Sequence, residues 1–263
     1  MARTPRFGVI LSGGISLGLT YVGVHRAMHE AGLMPTAIGG CSVGAAMGAL
    51  WSAGLTPDEI EQATSRTRWR GLVRPTRSRL GLFSLRNLSR TLERLCGVKR
   101  LEDLPVPLSI WATDLATGEG VILREGELGQ CCEASCAIPG VFAPVKIDGR
   151  MLVDGGVISN LPLHILNRGP KLSFVLAVDP IAKLKLSNQP RNPLQVSLQS
   201  FLIHLRATGP EVSGKCRYRV VVATPETEGI NALNLRQLPH LAQRGYDEMQ
   251  RVLSQNRKLF GLR

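Results

Sequence analysis

The feature that most constrains the fold is a short turn between a predicted strand and a predicted helix. Residues 40–44 read GCSVG, the pattern G-x-S-x-G, after a short apolar strand at 37–39. The glycines on either side of Ser42 let the backbone turn without a Cβ clash, so the serine side chain is forced out of the sheet. The N-terminus of the next helix points at Ser42 and stabilises developing negative charge. We therefore predict that Ser42 is a nucleophile, against the alternative of a serine that only caps a tightly packed helix.

A second glycine-rich turn precedes it. Phe7–Ser12 is typical of a buried strand and runs into Gly13 and Gly14, after which apolar residues recur at helical spacing. Such a loop offers backbone N–H groups to an anion. A dinucleotide site would need G-x-G-x-x-G and an acidic residue about twenty positions later, and neither is present. We therefore favour an oxyanion hole for acyl transfer over a plain strand–helix turn.

A third turn carries an aspartate. Asp154 lies between an apolar strand and the glycines Gly155 and Gly156. A carboxylate held at a sheet edge in this way could act as the general base for Ser42. Asp-Gly-Gly is also ordinary turn chemistry, so this motif alone leaves both interpretations open.

The remaining pattern alternates strands with helices and predicts an α/β sandwich with a mostly parallel sheet. Gly32 is expected to end the first helix, Thr56 to cap another, and Asp148-Gly149 to form a hairpin turn. Further strands are predicted at Leu108–Thr113, Gly120–Leu123, Ser173–Val178 and Arg219–Ala223, and further helices at Leu85–Leu95, from Leu194 to Leu205, and at the end of the chain.

Composition narrows the class of protein. The chain has 263 residues, of which 44% are hydrophobic, enough for a full core and too many for a disordered chain. No apolar run approaches a membrane span. The N-terminal apolar stretch is interrupted by glycines, unlike a secretory signal. The six cysteines lack the spacing of a zinc site, so we expect buried, reduced thiols in a cytoplasmic protein that can lie at the inner membrane surface.

The charge is concentrated in one segment. Residues 66–90 contain eight arginines and no Asp, Glu or Lys, and so supply most of the net charge of +12. Apolar residues interleave with these arginines, which predicts docking on an anionic membrane surface, the alternative being a solvated loop. No nucleic-acid motif accompanies the charge, and nucleic-acid binding is not expected. The arginines expected to dock are Arg66, Arg68, Arg70, Arg74, Arg77 and Arg79.

Taken together, the three motifs resemble those of the bacterial patatin-like phospholipases. The matching segments are LSGGISLGLTYVGVHRAMHEAGLMPTAIGGCSVGAAMGALWSAGL, WATDLATGE and ASCAIPGVFAPVKIDGRMLVDGGVISNLPL. The resemblance is strongest over residues 7–165. It implies a three-layer α/β/α sandwich with a mostly parallel central sheet, and a single domain over 1–263 with an arginine-rich insertion at 66–90.

The resemblance also implies a chemistry. Ser42 and Asp154 would form a catalytic dyad that cleaves fatty-acyl esters of phospholipids or lysophospholipids through an acyl-enzyme. The backbone of Gly13, Gly14 and Ile15 would form the oxyanion hole, and no metal or organic cofactor is implied. The elbow and its supporting turns would be Gly40, Gly44, Gly155 and Gly156.

The sequence departs from the family pattern at two positions. Ile15 stands where the family usually has a third glycine, and Leu17 where it usually has a basic residue. A β-branched residue resists a positive φ, so an oxyanion loop that needs that conformation at position 15 would be strained.

Two other interpretations stay open at this point. An α/β-hydrolase orders its triad Ser…Asp…His, and His164, His204 and His240 all follow Asp154. A lipid-binding module without catalysis is the other. The head group, the acyl position and the oligomeric state are left open by the sequence. His25 and His29 have metal-pair spacing, but the sequence supplies no third ligand near them.

Overall fold

The computed structural model describes residues 5–66, 69–184, 189–209, 215–228, 230 and 238–262. Its main sheet has eight strands and a smaller sheet has three. The main sheet contains β1 (Phe7–Leu11), β2 (Ala37–Cys41), β5 (Leu108–Asp114), β6 (Gly120–Leu123), β8 (Val145–Ile147), β9 (Arg150–Asp154), β10 (Phe174–Val178) and β11 (Arg219–Ala223). The smaller sheet contains β3 (Arg74–Pro75), β4 (Gly81–Ser84) and β7 (Gly140–Phe142).

The α-helices of the described residues connect and cover these strands. They are α1 (Thr20–Glu30), α2 (Val43–Ser52), α3 (Pro57–Arg66), α4 (Trp69–Leu72), α5 (Arg86–Cys96), α6 (Leu128–Ser135), α7 (Pro193–Ala207), α8 (Leu238–Gln255) and α9 (Arg257–Phe260). Short 3-10 helices lie at Ile15–Leu19, Leu101–Asp103, Gly155–Val157 and Leu163–Leu166.

The strand order of the main sheet is β11-β10-β1-β2-β5-β9-β8, with β6 also paired to β5. The strands from β11 to β5 are parallel, whereas β6 and β9 run antiparallel to β5 and β8 runs antiparallel to β9. In such a sheet the carboxyl ends of the parallel strands share one edge, and ligands bind outside that edge. Ser42 follows β2 directly and so lies there.

Both faces of the sheet are buried. Side chains of β1 alternate, so that Val9 and Leu11 enter the larger core beneath α1, α2, α5, α6 and α8, while Ile10 enters a smaller core on the other face. The 3-10 helix at Leu163–Leu166 covers that second face. The predicted α/β architecture with a mostly parallel central sheet is confirmed.

Several local predictions are confirmed. At Gly32 (φ 67°) the N–H donates to the His29 carbonyl and the next N–H to the Met28 carbonyl, the pattern of a helix that ends in a Schellman motif. Thr56 and Glu59 exchange hydrogen bonds as a capping box. Asp148 and Gly149 both have positive φ in the tight turn that joins β8 to β9.

The predicted first helix differs at its start. Residues Ile15–Leu19 form a 3-10 helix and the α-helix begins only at Thr20. The tighter turn follows from the backbone of the glycine loop, where Gly14 has φ 153° and Ile15 has φ 55°. Within the described residues, no helix combines the length and the apolar character that crossing a membrane requires.

Candidate active site

Ser42 lies at the sharp turn between β2 and α2. Its φ of 53° and ψ of −126° are strained for a residue other than glycine, and strain of this kind persists only where the surroundings hold it. The Ser42 N–H donates to Ser135 Oγ at 2.8 Å, and the Ser135 hydroxyl donates to the Trp111 carbonyl at 2.7 Å. The turn is therefore anchored to α6 and β5, and the serine side chain is directed away from the strand.

The two glycines of the motif are required by close packing. A Cβ on Gly40 would lie 2.5 Å from the Gly44 carbonyl oxygen, and one on Gly44 would lie 2.1 Å from the Leu11 carbonyl oxygen. Any other residue would push α2 away from β1. These contacts hold the N-terminus of α2 against the sheet, with Ser42 at its first turn.

Asp154 ends β9 and is fully buried. Its backbone N–H donates to the Ala137 carbonyl, and its Oδ1 accepts the Gly156 N–H at 2.8 Å. A Cβ on Gly155 would lie 2.4 Å from the Trp111 ring and one on Gly156 would lie 2.2 Å from Leu205, so both glycines permit a tight turn. The aspartate is thereby held rigidly at the same edge of the sheet as Ser42.

The acidity of Asp154 is strongly perturbed. Burial raises the pKa of this carboxyl from 3.8 to about 7, although hydrogen bonding from the Ser42 hydroxyl and from the Gly156 N–H lowers it. The Ser42 hydroxyl is thus near enough to the carboxyl to lower its pKa, while Oδ2 accepts no hydrogen bond from the part of the chain that is described. A carboxyl with a pKa near neutrality beside a hydroxyl can exchange a proton with it.

Cys136 completes the surroundings of Ser42. Burial raises the pKa of this thiol well above its ordinary value, with Asp154 adding to the rise and the Ser42 hydroxyl lowering it. A thiol in this state is neutral. Cys41, beside the nucleophile in sequence, is fully buried on the other side of the turn and also has a raised pKa, first because of burial. Neither cysteine has the lowered pKa of a reactive thiol.

The glycine loop lies against the serine. A Cβ on Gly13 would lie 3.1 Å from Ser42 Cβ and 2.6 Å from Asn160 Oδ1. The Gly13 N–H, predicted to bind an oxyanion, instead donates to Asn160 Oδ1 at 2.9 Å. Within the described residues the N–H groups of Gly14 and Ile15 have no hydrogen-bond partner, so two of the three predicted donors are free.

Ile15 adopts the positive φ that a β-branched residue resists. Its φ is 55°, in the left-handed region. Left-handed backbone costs an L-residue about 1–2 kcal/mol, and a β-branched side chain adds to the strain. The side chain packs against both neighbouring apolar clusters, which holds the loop in this state.

Two groups that sequence reasoning missed hold the loop in place. Asn160 is fully buried and accepts from Gly13. Asp179, at the end of β10, accepts the Ser12 hydroxyl at 2.9 Å, and the Tyr21 hydroxyl donates to the Ser12 carbonyl. Both Asn160 and Asp179 follow apolar segments as polar residues in turns, a signal that could have identified them.

An apolar cavity of about 160 Å³ opens beside Ser42. Ile15, Ser42 and Cys136 lie in its wall, and the rest is almost entirely apolar. Its volume matches that of an engineered apolar cavity that stays dry and takes benzene, so it can hold a segment of an aliphatic chain. The other main contributors are Val43, Met47, Leu50, Leu88, Leu92 and Phe142.

The histidines have other contacts. His164 packs edge-on against Trp111 on the opposite face of the sheet, and His204 lies 2.8 Å from the Val157 carbonyl through Nε2. His240 is exposed on α8. In the described ranges, no histidine forms a hydrogen bond with Ser42 or Asp154. His25 stacks on Trp51, and burial lowers its pKa to about 4.

The predicted docking arginines are distributed over α3 and a hairpin. Arg66 ends α3, Arg74 lies in β3, and Arg77 and Arg79 lie in the turn before β4; all four are exposed. Arg68 and the side chain of Arg70 lie outside the described residues.

Comparison with known proteins identifies the family of the chain. The model of the patatin-like phospholipase family matches residues 9–167. An uncharacterized NTE family protein of Mycobacterium tuberculosis is 35% identical over 165 residues, which cover 62% of this chain and 46% of that protein. Neuropathy target esterase sws of Drosophila melanogaster is 31% identical over 181 residues, covering 65% of this chain and 13% of that protein.

The fold has a similar solved structure. VipD from Legionella pneumophila superposes with a TM-score of 0.55 at 14% identity, covering 97% of this chain and 67% of that one. This chain aligns with less than half the length of the curated relatives named above.

Proposed function

This chain belongs to the patatin-like phospholipase family, and from that membership we propose that it is a serine acyl hydrolase acting on fatty-acyl esters of phospholipids or lysophospholipids. The observation that carries the proposal is the buried Asp154 carboxyl, with a pKa of about 7, next to the Ser42 hydroxyl at the wall of an apolar cavity. A structural aspartate would not need a hydroxyl neighbour on a strained turn.

The reaction begins with attack of Ser42 Oγ on the ester carbonyl carbon, while Asp154 takes the hydroxyl proton. The tetrahedral intermediate collapses to an acyl-enzyme, and Asp154 returns the proton to the leaving alcohol. Asp154 then takes a proton from water, whose oxygen attacks the acyl carbonyl carbon. The acyl–Oγ bond breaks, Asp154 returns that proton to Ser42 Oγ, and a free fatty acid leaves. A pKa near neutrality suits a group that alternates between base and acid.

The negative charge on the carbonyl oxygen is stabilised by backbone donors. The N–H groups of Gly14 and Ile15 provide this stabilisation, together with the N-terminus of α2. Gly13 contributes by position, because its N–H holds the loop to Asn160. Loss of one such donor costs on the order of 10²–10³ in rate, so the strained Ile15 conformation is central to activity.

The apolar cavity supports the proposed substrate class. Its apolar wall accepts part of an aliphatic chain, and Ser42 in that wall meets the ester at the end of the chain. The reaction is hydrolysis of a carboxylic ester, with the acyl chain in the cavity and the glycerol side outside.

A fluorophosphonate probe tests the nucleophile. The wild-type protein is expected to take up one adduct on Ser42, located by intact and peptide mass. Ser42→Ala is expected to take up none and to lose ester turnover by at least about 10³-fold. Ser65→Ala, an exposed serine of α3, is the matched control and should label like wild type.

The Asp154→Asn variant distinguishes a Ser–Asp dyad from a triad that includes a histidine. The change is nearly isosteric, so folding should be kept while turnover is lost to a similar extent. Retained turnover in Asp154→Asn, or labelling of Ser42→Ala, would overturn the proposed mechanism.

The proposed setting is the cytoplasm, at the inner membrane surface. The exposed arginines Arg66, Arg74, Arg77 and Arg79, with the exposed Leu80 and Leu82 between and beside them, suit an anionic bilayer surface. Flotation with anionic vesicles should carry the protein upward, and added salt should weaken the association. Equal flotation with neutral vesicles would remove the electrostatic basis of this docking.

A further inference from the structure

A second cavity lies on the other side of α5. Its volume is about 650 Å³ and its wall is mainly polar, in contrast to the apolar cavity beside Ser42. Helix α5 separates the two: Leu88 and Leu92 line the apolar cavity, whereas Arg86 and Arg90 line the second one. The β3–β4 hairpin, α6 and the connection from β7 to β8 form the remaining walls. We call this second cavity the basic groove.

Five cationic side chains line the basic groove. They are Arg74, Arg77, Arg86, Arg90 and Lys146. As far as the chain is described, none of the five forms an ion pair with a carboxylate. Like charges brought together in one concave site repel each other, and low-dielectric walls strengthen the field. Such an arrangement is relieved by a bound anion.

The acidic residue in the groove wall does not neutralise this charge. Glu133, on α6, is half-buried, and within the described residues it forms no ion pair with any of the five cations. Burial raises the pKa of this carboxyl, while the charge of Arg86 lowers it. One carboxylate among five cationic side chains leaves the groove with a strong positive potential.

The start of α5 adds to that potential. Arg86 is the first residue of this 11-residue helix, and its first turn carries no acidic residue. A cation near a helix N-terminus is unfavourable, because the helix dipole is already positive there. An anion in the groove would interact favourably with Arg86, Arg90 and the helix terminus together.

We propose that the basic groove binds the phosphate group of an anionic phospholipid, at a site distinct from the one where Ser42 acts. Arginine matches phosphate oxygens through paired hydrogen bonds, and several arginines from different elements would surround it. The hairpin that forms one wall also carries Leu80 and Leu82, which are 57% and 56% exposed. A phosphate next to exposed leucines fits a lipid at a bilayer surface better than a free anion.

The choice of a lipid as the source of the phosphate rests on the proposed function, whereas the charge of the groove does not. The groove differs from the general docking surface, because Arg86, Arg90 and Lys146 lie outside the set of arginines predicted to dock. It would hold one headgroup and thereby fix the orientation of the apolar cavity relative to the membrane.

The test measures vesicle binding by the full chain with Ser42→Ala, so that no lipid is consumed. One set of vesicles contains phosphatidylcholine with phosphatidic acid, and the other contains phosphatidylcholine with oleate at the same measured surface charge. We expect tighter binding to the phosphatidic acid vesicles. Adding Arg86→Gln and Arg90→Gln should weaken that binding by at least about tenfold.

The matched control removes the same charge elsewhere. Arg217 and Arg219 are both exposed and lie away from the groove. Arg219 begins the edge strand β11, and Arg217 lies two residues before it. Arg217→Gln with Arg219→Gln should leave binding within about twofold of the parent, since the pair lies outside the site. Circular dichroism and thermal melting of both double variants confirm that the comparison is between folded proteins.

Three results would overturn the proposal. Equal losses in the two double variants would mean that only net charge matters. Equal binding to oleate and phosphatidic acid vesicles would remove the role of phosphate. Binding of inorganic pyrophosphate or RNA that depends on Arg86 and Arg90, without binding to phosphatidic acid vesicles, would assign the groove to another ligand. Failure of the hydrolase proposal would appear separately, in the fluorophosphonate labelling.

Discussion

Two residues of the site have a backbone that their side chains disfavour. Ser42 and Ile15 both have φ near 55°, on the two loops that meet at the sheet edge. Each costs free energy, and each is held by neighbours: Ser42 by Ser135, and Ile15 by apolar packing. Residues in such conformations cluster at functional sites, where strain presets the geometry.

Substitution of Ile15 tests the strain. Ile15→Gly and Ile15→Ala both lose the apolar side chain, but only glycine relaxes the positive φ. We expect the glycine variant to exceed the alanine variant in unfolding free energy by about 1 kcal/mol. Urea denaturation of both proteins measures the difference. The usual order, with alanine the more stable, would contradict a left-handed conformation at position 15.

The pKa of Asp154 predicts a pH dependence of activity. A general base must be deprotonated, and this carboxyl has a pKa of about 7 because of its burial. We therefore expect kcat/KM to rise with pH and to level off above about pH 8, with a single ionisation near 7. A pH–rate profile with a water-miscible short-chain ester measures it. An ionisation near pH 4 in this profile would show that the pKa of the catalytic carboxyl is not raised.

The same pKa predicts a pH dependence of stability. The folded state raises the pKa of Asp154 from 3.8 to about 7, so the folded protein binds this proton more tightly than the unfolded chain. The stability contributed by the protonated form is present below pH 4 and is lost as pH rises to about 7. Asp154→Asn has no such loss.

The comparison is made by denaturation of wild type and Asp154→Asn from pH 4 to pH 8. The unfolding free energy of the variant relative to wild type should rise by a few kcal/mol between pH 4 and pH 7, and this difference should then stay constant up to pH 8. A constant difference at all pH values would show that the buried carboxyl does not titrate there.

At the scale of elements, the packing of α1 on α8 depends on two glycines. A Cβ on Gly23 would lie 1.7 Å from the Ala242 carbonyl oxygen, and one on Gly245 would lie 1.9 Å from the Thr20 carbonyl oxygen. The two helix backbones therefore approach as closely as glycine allows. Because α1 is joined to the glycine loop only by the 3-10 helix Ile15–Leu19, this contact also helps to fix the position of the C-terminal end of the loop.

Gly23→Ala should lower the unfolding free energy by about 1–3 kcal/mol, because the two backbones must separate. Helix propensity alone would predict the opposite sign, since alanine is favoured over glycine by about 1 kcal/mol. Gly71→Ala is the control, since a Cβ there would have no atom of the described residues within 4 Å. Thermal melting of both variants measures the effect. Equal melting midpoints for Gly23→Ala and Gly71→Ala would argue against the close approach of α1 and α8.

At the scale of the whole molecule, stability and charge lie in different parts. Strands β1 and β10 are fully buried at the centre of the sheet, whereas the hairpin of β3 and β4 is largely exposed and carries arginines and leucines. Regions with few buried contacts open at lower free energy than the core. The rigid part of the protein holds Ser42 and Asp154, and the less protected part carries the charged surface.

Hydrogen exchange should reproduce this division. Amides of β1 and β10 are expected to exchange slowest, and those at the tip of the hairpin, Thr76–Leu80, among the fastest. Exchange followed by mass spectrometry resolves these segments. Protection of the hairpin tip equal to that of β1 would contradict the division.

Local structure was largely predictable from the sequence, because its determinants are themselves local. The G-x-S-x-G turn, the capping box of Thr56 and the hairpin turn at Asp148 each depend on a few neighbouring residues. The α/β alternation follows from hydrophobic periodicity, and the family resemblance located Ser42 and Asp154.

Partners that are distant in sequence were decided only by the tertiary structure. Asn160 accepts a hydrogen bond from the Gly13 N–H, 147 positions away in sequence, and Asp179 accepts one from the Ser12 hydroxyl, 167 positions away. Neither contact therefore has a local sequence signature. The pKa of Asp154 depends on burial that the whole fold creates. The basic groove exists because the β3–β4 hairpin, α5 and β8 bring five cationic side chains together. Local sequence determines turns and periodicity, but solvent exclusion and charge proximity depend on which segments meet in space.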